Sequence, residues 1–138
     1  MNEKINTEKA PEPVGSYPHA RRVGNLLFLS GVGPRKPGTK VIPGVMVDGQ
    51  GNAVGHDIET QCYSVFENVK IILEASGSRW ENLVDVTVFL TNIQRDFDTY
   101  NRIYAEYFKD NQPCRTTVEI SALPTPIAIE LKCIATIE

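Results

Sequence analysis

Two ionisable residues toward the C-terminal end carry the strongest chemical signal in this sequence. Arg115 follows Pro113-Cys114 and opens the stretch Arg115-Thr116-Thr117-Val118-Glu119-Ile120-Ser121. At the mouth of a strand, directly after a proline turn, a guanidinium can present its planar fork of donors to a carboxylate as two parallel hydrogen bonds, which suits an anionic small molecule. Glu130 lies in Ile129-Glu130-Leu131, an acid inside an otherwise apolar alternating strand, where a carboxylate can orient a water or exchange a proton. Both residues also have a plainer reading, as solvated strand positions or as partners in a structural ion pair.

Other chemistries find little support. There is no GxxxxGK[ST] loop, and Gly31-Val32-Gly33-Pro34-Arg35 has no third glycine at the place a dinucleotide fingerprint needs and no helix opening after it. His19 and His56 are the only histidines. His56-Asp57-Ile58-Glu59 offers at best an HxxE pair at a helix start, so a helix-terminal surface role is expected for His56 and no metal site. Ser30 stands in Leu29-Ser30-Gly31, outside any GxSxG elbow. Cys62, Cys114 and Cys133 are widely spaced with no CxxC pair, and reduced, mostly buried thiols are expected. No metal and no organic cofactor is therefore expected.

The elements that must position Arg115 and Glu130 are legible from periodicity. Residues 1–14 read as a loose lead-in. Leu26-Leu27-Phe28-Leu29, bounded by Gly24-Asn25 and Ser30-Gly31, reads as a short buried strand. Glycine and proline crowd the stretch from Gly31 to Gly55, which predicts loop and hairpin with a short strand at Val45 to Val47. Ile58, Cys62, Val65, Phe66, Val69, Ile72 and Leu73 recur at helical spacing, with Asp57 a cap and Gly77 a stop. Val84, Val86, Val88 and Leu90 alternate as a strand with one drier face. A second helix reads from Phe97 through Phe108, its aromatic stripe assigned to core packing. Two strands, Thr116 to Ser121 and Ile127 to Ile137, complete an α+β fold with helices on one face of a mixed sheet. Two amphipathic helices cannot cover both faces, so a homo-oligomer is expected.

Length and composition fit one domain spanning 1–138: 138 residues, 41% hydrophobic and 22% charged. Seventeen acidic against fourteen basic residues give a net charge of -3, which offers no general attraction to nucleic acid or to an anionic membrane. The polar, proline-containing N-terminal residues have neither a signal peptide's apolar core nor an arginine-rich transit character, and no run approaches the roughly 18 apolar residues of a membrane span. A cytoplasmic location is expected.

In order and spacing, several motifs resemble those of the reactive intermediate deaminase (RidA-like) family. They are Pro-x-Arg-x-x-Val-Glu-Ile at 113–120, Ile-Glu-Leu at 129–131, Gly15-Ser16-Tyr17, Leu29-Ser30-Gly31 and Tyr100-Asn101-Arg102-Ile103-Tyr104. The resemblance spans nearly the whole chain. It implies a chorismate-mutase-like subunit assembled as a homotrimer, with clefts between neighbouring subunits. It also implies a carboxylate-binding role for Arg115, a water-associated role for Glu130, and cleft positions for Tyr17, Ser30, Gly31 and Asn101.

Two departures stand out. Thr117 occupies a position that is cysteine in many family members, which removes any thiol chemistry there. The segment from Val32 to about Gly55 is longer than usual and resembles the 2-aminomuconate deaminase branch. That likeness implies a dicarboxylate substrate, for which Arg35 or Lys36 would supply a second cation; a solvated turn is the competing reading of Arg35-Lys36-Pro37-Gly38. His19, Arg21 and Arg22 are weaker candidates. The implied reaction is cofactor-independent hydrolysis of the enamine or imine of 2-aminomuconate to a 2-oxo dicarboxylate and ammonia. The alternatives are a general 2-imino acid deaminase and a non-catalytic trimeric binding or chaperone-like module; an endoribonuclease role fits the acidic balance badly.

Overall fold

A computed structural model describes residues 2–137 of the chain. Its strands and helices are β1 (Asn2–Ile5), β2 (Ala20–Val23), β3 (Leu26–Leu29), β4 (Val45–Val47), β5 (Ala53–His56), α1 (Ile58–Ala75), β6 (Leu83–Leu90), α2 (Ile93–Phe108), β7 (Cys114–Glu119) and β8 (Ile129–Thr136). A 3₁₀ turn at Trp80–Asn82 precedes β6. Six strands form one sheet in the order β1-β2-β3-β8-β6-β7, while β4 and β5 pair as a separate hairpin. Neighbours in the large sheet are antiparallel except β6 and β7, which run parallel because α2 returns the chain between them. The expected α+β fold, a mixed sheet with two helices, is thus present.

Burial alternates residue by residue along β8 and along β6 from Asp85 onward, as a pleated strand with one covered face requires; an irregularity between Leu83 and Asp85 turns Val84 out of the drier face to which its spacing assigned it. Val86, Val88, Leu90, Ile129, Leu131 and Cys133 are fully buried in one cluster with the apolar faces of both helices. Removing these side chains from water is the main stabilising term, at roughly 25 cal/mol per Å² of apolar surface. No helix covers the other face of the sheet among the described residues. Phe28, Phe89 and Ile134 are only half-buried there, and Val23 and Leu26 remain 45% and 38% exposed.

Both helices begin and end on specific backbone bonds. Asp57 caps α1 by accepting from the Glu59 amide at 3.2 Å, which satisfies one of the donors a helix start leaves open. At the other end Gly77 adopts φ +78°, and the Gly77 and Ser78 amides donate back to Glu74 and Leu73, a Schellman stop that needs glycine's freedom. Asn92 caps α2 through the Arg95 amide at 3.0 Å, and Glu119 on β7 accepts from the Ile93 amide at 2.8 Å. The start of α2 is thereby tied to the end of β7.

Four expectations need correction. The lead-in is ordered: β1 pairs with β2 from Asn2↔Val23 to Ile5↔Ala20. Neither strand has the apolar surplus that marks a core strand, because β1 is an edge strand. The second helix starts one turn before Phe97, at Ile93, since capping at Asn92 and not hydrophobic periodicity sets its beginning. Of the last two strands, β7 lies two residues earlier than read, at Cys114–Glu119, and β8 is shorter than read, at Ile129–Thr136. His56 closes β5 half-buried and is bonded to Gln61 across 3.1 Å, so it is not a free surface residue.

Gln61 is fully buried on α1, and its Oε1 accepts from the Ala128 amide at 2.8 Å. Gln61→Leu would leave that buried N–H without a partner. We expect a loss of about 1–3 kcal/mol, read as a lower midpoint in thermal or urea unfolding.

Candidate active site

The candidate residues fall into two groups on different parts of the sheet. Arg115 and Thr117 on β7 register with Val86 and Val88 on β6, so both leave the sheet on the helix-covered face. Asn101 meets them from α2: its Oδ1 accepts from Arg115 Nη1 at 2.8 Å. The Arg115 guanidinium carbon lies 4.7 Å from the ring centre of Tyr104, 5.3 Å from Tyr100 and 6.0 Å from Phe97. Thr117 Oγ1 is 2.8 Å from the Tyr100 hydroxyl. The Tyr100 phenol is held well above its usual pKa, chiefly by burial, so it stays a neutral hydrogen-bonding group beside the cation.

The second group surrounds Glu130. That residue registers with Phe89 and alternates with the buried Ile129 and Leu131, so its side chain leaves the uncovered face. The carboxylate lies over Gly31, where a β-carbon would come within 2.8 Å of Oε2. A glycine at this point lets the carboxylate lie directly over the backbone, and a β-carbon would push it aside. Tyr17, Ser30, Gly31 and Arg35 line one cleft with His19 and Thr125. Ser30 donates its hydroxyl to the Pro18 carbonyl at 2.7 Å, and the Tyr17 hydroxyl accepts from the Val14 amide at 3.3 Å. Arg35 donates to the Glu12 carbonyl, while the Arg35 carbonyl accepts from Asn68 at 2.9 Å.

Within one chain the structure thus brings Arg115, Asn101 and Thr117 together, and separately Tyr17, Ser30, Gly31, Arg35 and Glu130. It does not bring Arg115 to Glu130. Neither residue has an oppositely charged partner within 4.0 Å among the described residues, which removes the reading of the two as a structural ion pair. Burial holds the Glu130 carboxyl above its ordinary pKa. Cys133 and Cys62 are pushed up to about 12, mainly by burial, and behave as core thiols, whereas Cys114 is exposed. Among the described residues no cluster of three or more histidine, cysteine or acidic side chains could hold a metal ion, and no helix is long and apolar enough to cross a membrane.

Residues 7–137 match the family profile described as Endoribonuclease L-PSP. The chain belongs to this family, which includes the RidA proteins. It is similar to RutC family protein PH0854 of Pyrococcus horikoshii, with 42% identity over 135 residues covering 98% of each chain. It is also similar to the Arabidopsis thaliana protein Reactive Intermediate Deaminase A, chloroplastic, at 39% identity over 98% of this chain and 66% of that one. The solved structure of E. coli TdcF with bound serine superposes with a TM-score of 0.83 at 29% identity, covering 99% of both chains.

Against that family background, two features of the site lay outside the sequence reading. His19 is buried and structural: it takes the Thr7 amide on Nδ1 at 3.2 Å and reaches the Pro11 carbonyl with Nε2 at 2.7 Å, pinning the segment that walls the cleft. The aromatic stripe of α2 packs the core as expected, yet the same rings support Arg115. Their i, i+3, i+7 spacing around Asn101 was visible, but the strand that faces them was not.

The approach of Glu130 to Gly31 gives a direct check. In Gly31→Ala the carboxylate must move, and because only the end of a flexible side chain is displaced the unfolding midpoint should change little. Carbon-detected NMR titration should then find the Glu130 pKa lower than in the parent protein, as the displaced group gains water.

Proposed function

We propose that the protein, acting as a single unit over 1–138 in the cytoplasm, is a cofactor-independent deaminase of small 2-imino acids. The observation that carries this reading is Arg115: a guanidinium with one nitrogen bonded to Asn101 and no carboxylate partner among the described residues. In this reading Arg115 takes the substrate carboxylate. The enamine first tautomerises, gaining a proton at C3 and losing one from nitrogen, to become the imine. Water then adds to C2, the C–N bond breaks, and ammonia and a 2-oxo acid leave. Water in and ammonia out balance the reaction without an oxidant. Arg115 stabilises charge that the reacting carbon already carries next to it, and orientation supplies much of the remaining acceleration.

Glu130 is the group suited to hold the water and take its proton. Because its side chain leaves the opposite face from Arg115, the reading requires a second protomer: Arg115, Asn101 and Thr117 of one chain facing Tyr17, Ser30, Gly31 and Glu130 of its neighbour. A homotrimer closed through the uncovered sheet face meets that requirement. The name of the Arabidopsis relative and the serine in the E. coli TdcF structure both support a small carboxylate ligand and a deaminase. No nucleic acid or membrane partner is invoked.

A dicarboxylate such as 2-aminomuconate is the second reading for the substrate, favoured by Arg35, which lines the same cleft as Tyr17 and Gly31. Its contact with the Glu12 carbonyl leaves further donors for a distal acid group. Comparing turnover of 2-aminomuconate with that of a monocarboxylate imine generated in situ decides between the two.

Arg115→Ala should lower kcat/KM for ammonia release by about a hundredfold or more, equivalent to roughly 2.7 kcal/mol, while the protein stays folded and assembled. Full activity in that variant would reject the assignment. The pH profile offers an independent test. Glu130 must be ionised to accept a proton, and burial raises its pKa, so kcat/KM should fall on the acid side through a limb above the ordinary glutamate value of about 4.3. Glu130→Gln should remove that limb. The same raised pKa means that Glu130 favours the fold below its unfolded value, and that this contribution is lost as pH rises through the folded one. At pH 7 the Gln variant should therefore be at least as stable as the parent.

A further inference from the structure

We propose that Tyr104 is a positioning residue whose ring face fixes the plane of the Arg115 guanidinium; this rests on the carboxylate-binding role given to Arg115 above. The hydrogen bond from Nη1 to Asn101 Oδ1 at 2.8 Å fixes one point of the fork. A planar group held at one point can still swivel. The three rings of α2 remove that freedom, and Tyr104 is the nearest of them, with its ring centre 4.7 Å from the guanidinium carbon. Attraction between the cation and the ring's electron-rich face favours stacking. A ring on one face leaves the in-plane donors open, and these are the donors a carboxylate uses.

The hydroxyl of Tyr104 points to the same conclusion. Tyr104 is 9% exposed, and its hydroxyl oxygen is buried without a hydrogen-bond partner among the described residues. Burying an unpartnered hydroxyl is unfavourable, so the side chain's contribution lies in its ring. Burial holds the phenol far above its usual pKa, and it stays neutral beside the cation. The functional consequence follows from conjugation. In a 2-imino acid the C=N bond prefers the plane of the carboxylate, and a bidentate carboxylate takes the plane of the fork. The ring face thereby sets which side of the C=N bond is turned toward Glu130 of the neighbouring chain.

The test compares Tyr104→Leu and Tyr104→Phe by two readouts. In the ligand-free protein, the Arg115 side-chain N–H resonances should show a ring-current shift that Tyr104→Leu reduces, leaving the smaller contributions of Tyr100 and Phe97, and that Tyr104→Phe restores. In turnover of a monocarboxylate imine, Tyr104→Leu should lower kcat/KM by about threefold to fivefold, the size expected for a cation–ring contact at an exposed site. The Phe variant should recover it, and the Leu change should cost less than twofold when added to Arg115→Ala. An unchanged Arg115 resonance in the Leu variant, or an equal further loss in the Arg115→Ala background, would overturn the proposal. If Tyr104→Leu does not fold, Phe97→Leu at the rim of the cradle should shift the same resonance and lower kcat/KM in the same direction. No change in either would count against the cradle. The two layers of the argument separate cleanly. Full turnover by Arg115→Ala would reject the reading of the site itself, whereas loss there combined with parental kcat/KM and a parental Arg115 resonance in Tyr104→Leu would reject the positioning role alone.

Discussion

A β-strand turns alternate side chains to alternate faces, and that parity governs everything the candidate site can do. On β7 it sends Arg115 and Thr117 into the helix layer, in register with the buried Val86 and Val88. On β8 it sends Glu130 the other way, between the buried Ile129 and Leu131. A one-residue slip of β8 would reverse the outcome, but it would also drive the buried Ile129, Leu131, Cys133 and Ala135 toward water. The hydrophobic core therefore enforces the separation of the two charged groups. Chemistry that uses both needs a second copy of the chain, and the face that Glu130 occupies is the one left without a helix.

The support around Arg115 comes from the unit β6–α2–β7. Parallel pairing of β6 with β7 needs a crossover long enough to return the chain, and α2 provides it. Because α2 lies over the sheet, its Asn101, Tyr100 and Tyr104 come down onto the side chains of β7. Glu119 fastens the start of α2 to the end of the same strand. Near its other end, the Tyr107 carbonyl accepts from Trp80 Nε1 at 2.9 Å. The helix is thus held at both ends while its middle carries the cradle.

Much of this was legible in the sequence, for identifiable reasons. Both helices and the strands β3, β6 and β8 follow from periodicity, because each of them buries one face against the core; β7, which buries none, is two residues away from where it was read. The pairing of β1 with β2 was not legible: Asn2–Ile5 gains its order from backbone bonds at the edge of the sheet, and those leave no apolar pattern. The structural role of His19, a weak substrate-binding candidate by sequence, was hidden for a related cause, since its burial depends on a loop folding back through Thr7 and Pro11. Arg115 and Glu130 could be picked out by type and position. Their placement on opposite faces could not, because it depends on the register of β7 and β8 against β6, which no local pattern specifies.

The loop from Gly31 onward shows how the same physics serves the second half of the site. Asn68, buried on α1, donates to the Gly33 and Arg35 carbonyls, each at 2.9 Å. Val32 exchanges both backbone bonds with Leu131 on β8. These contacts fix Gly31 beside Glu130 from two directions, so the close approach is imposed by the scaffold and not by any attraction between them. A carboxylate held there, half-buried and without a cationic partner among the described residues, contributes nothing to stability in its ionised form. The fold spends core packing to keep it in place. Arg115 on the other face is exposed and also lacks an oppositely charged partner among the described residues, and two such uncompensated charges, one for an anion and one for a proton, are what a site for hydrolysing a carboxylate-bearing imine requires.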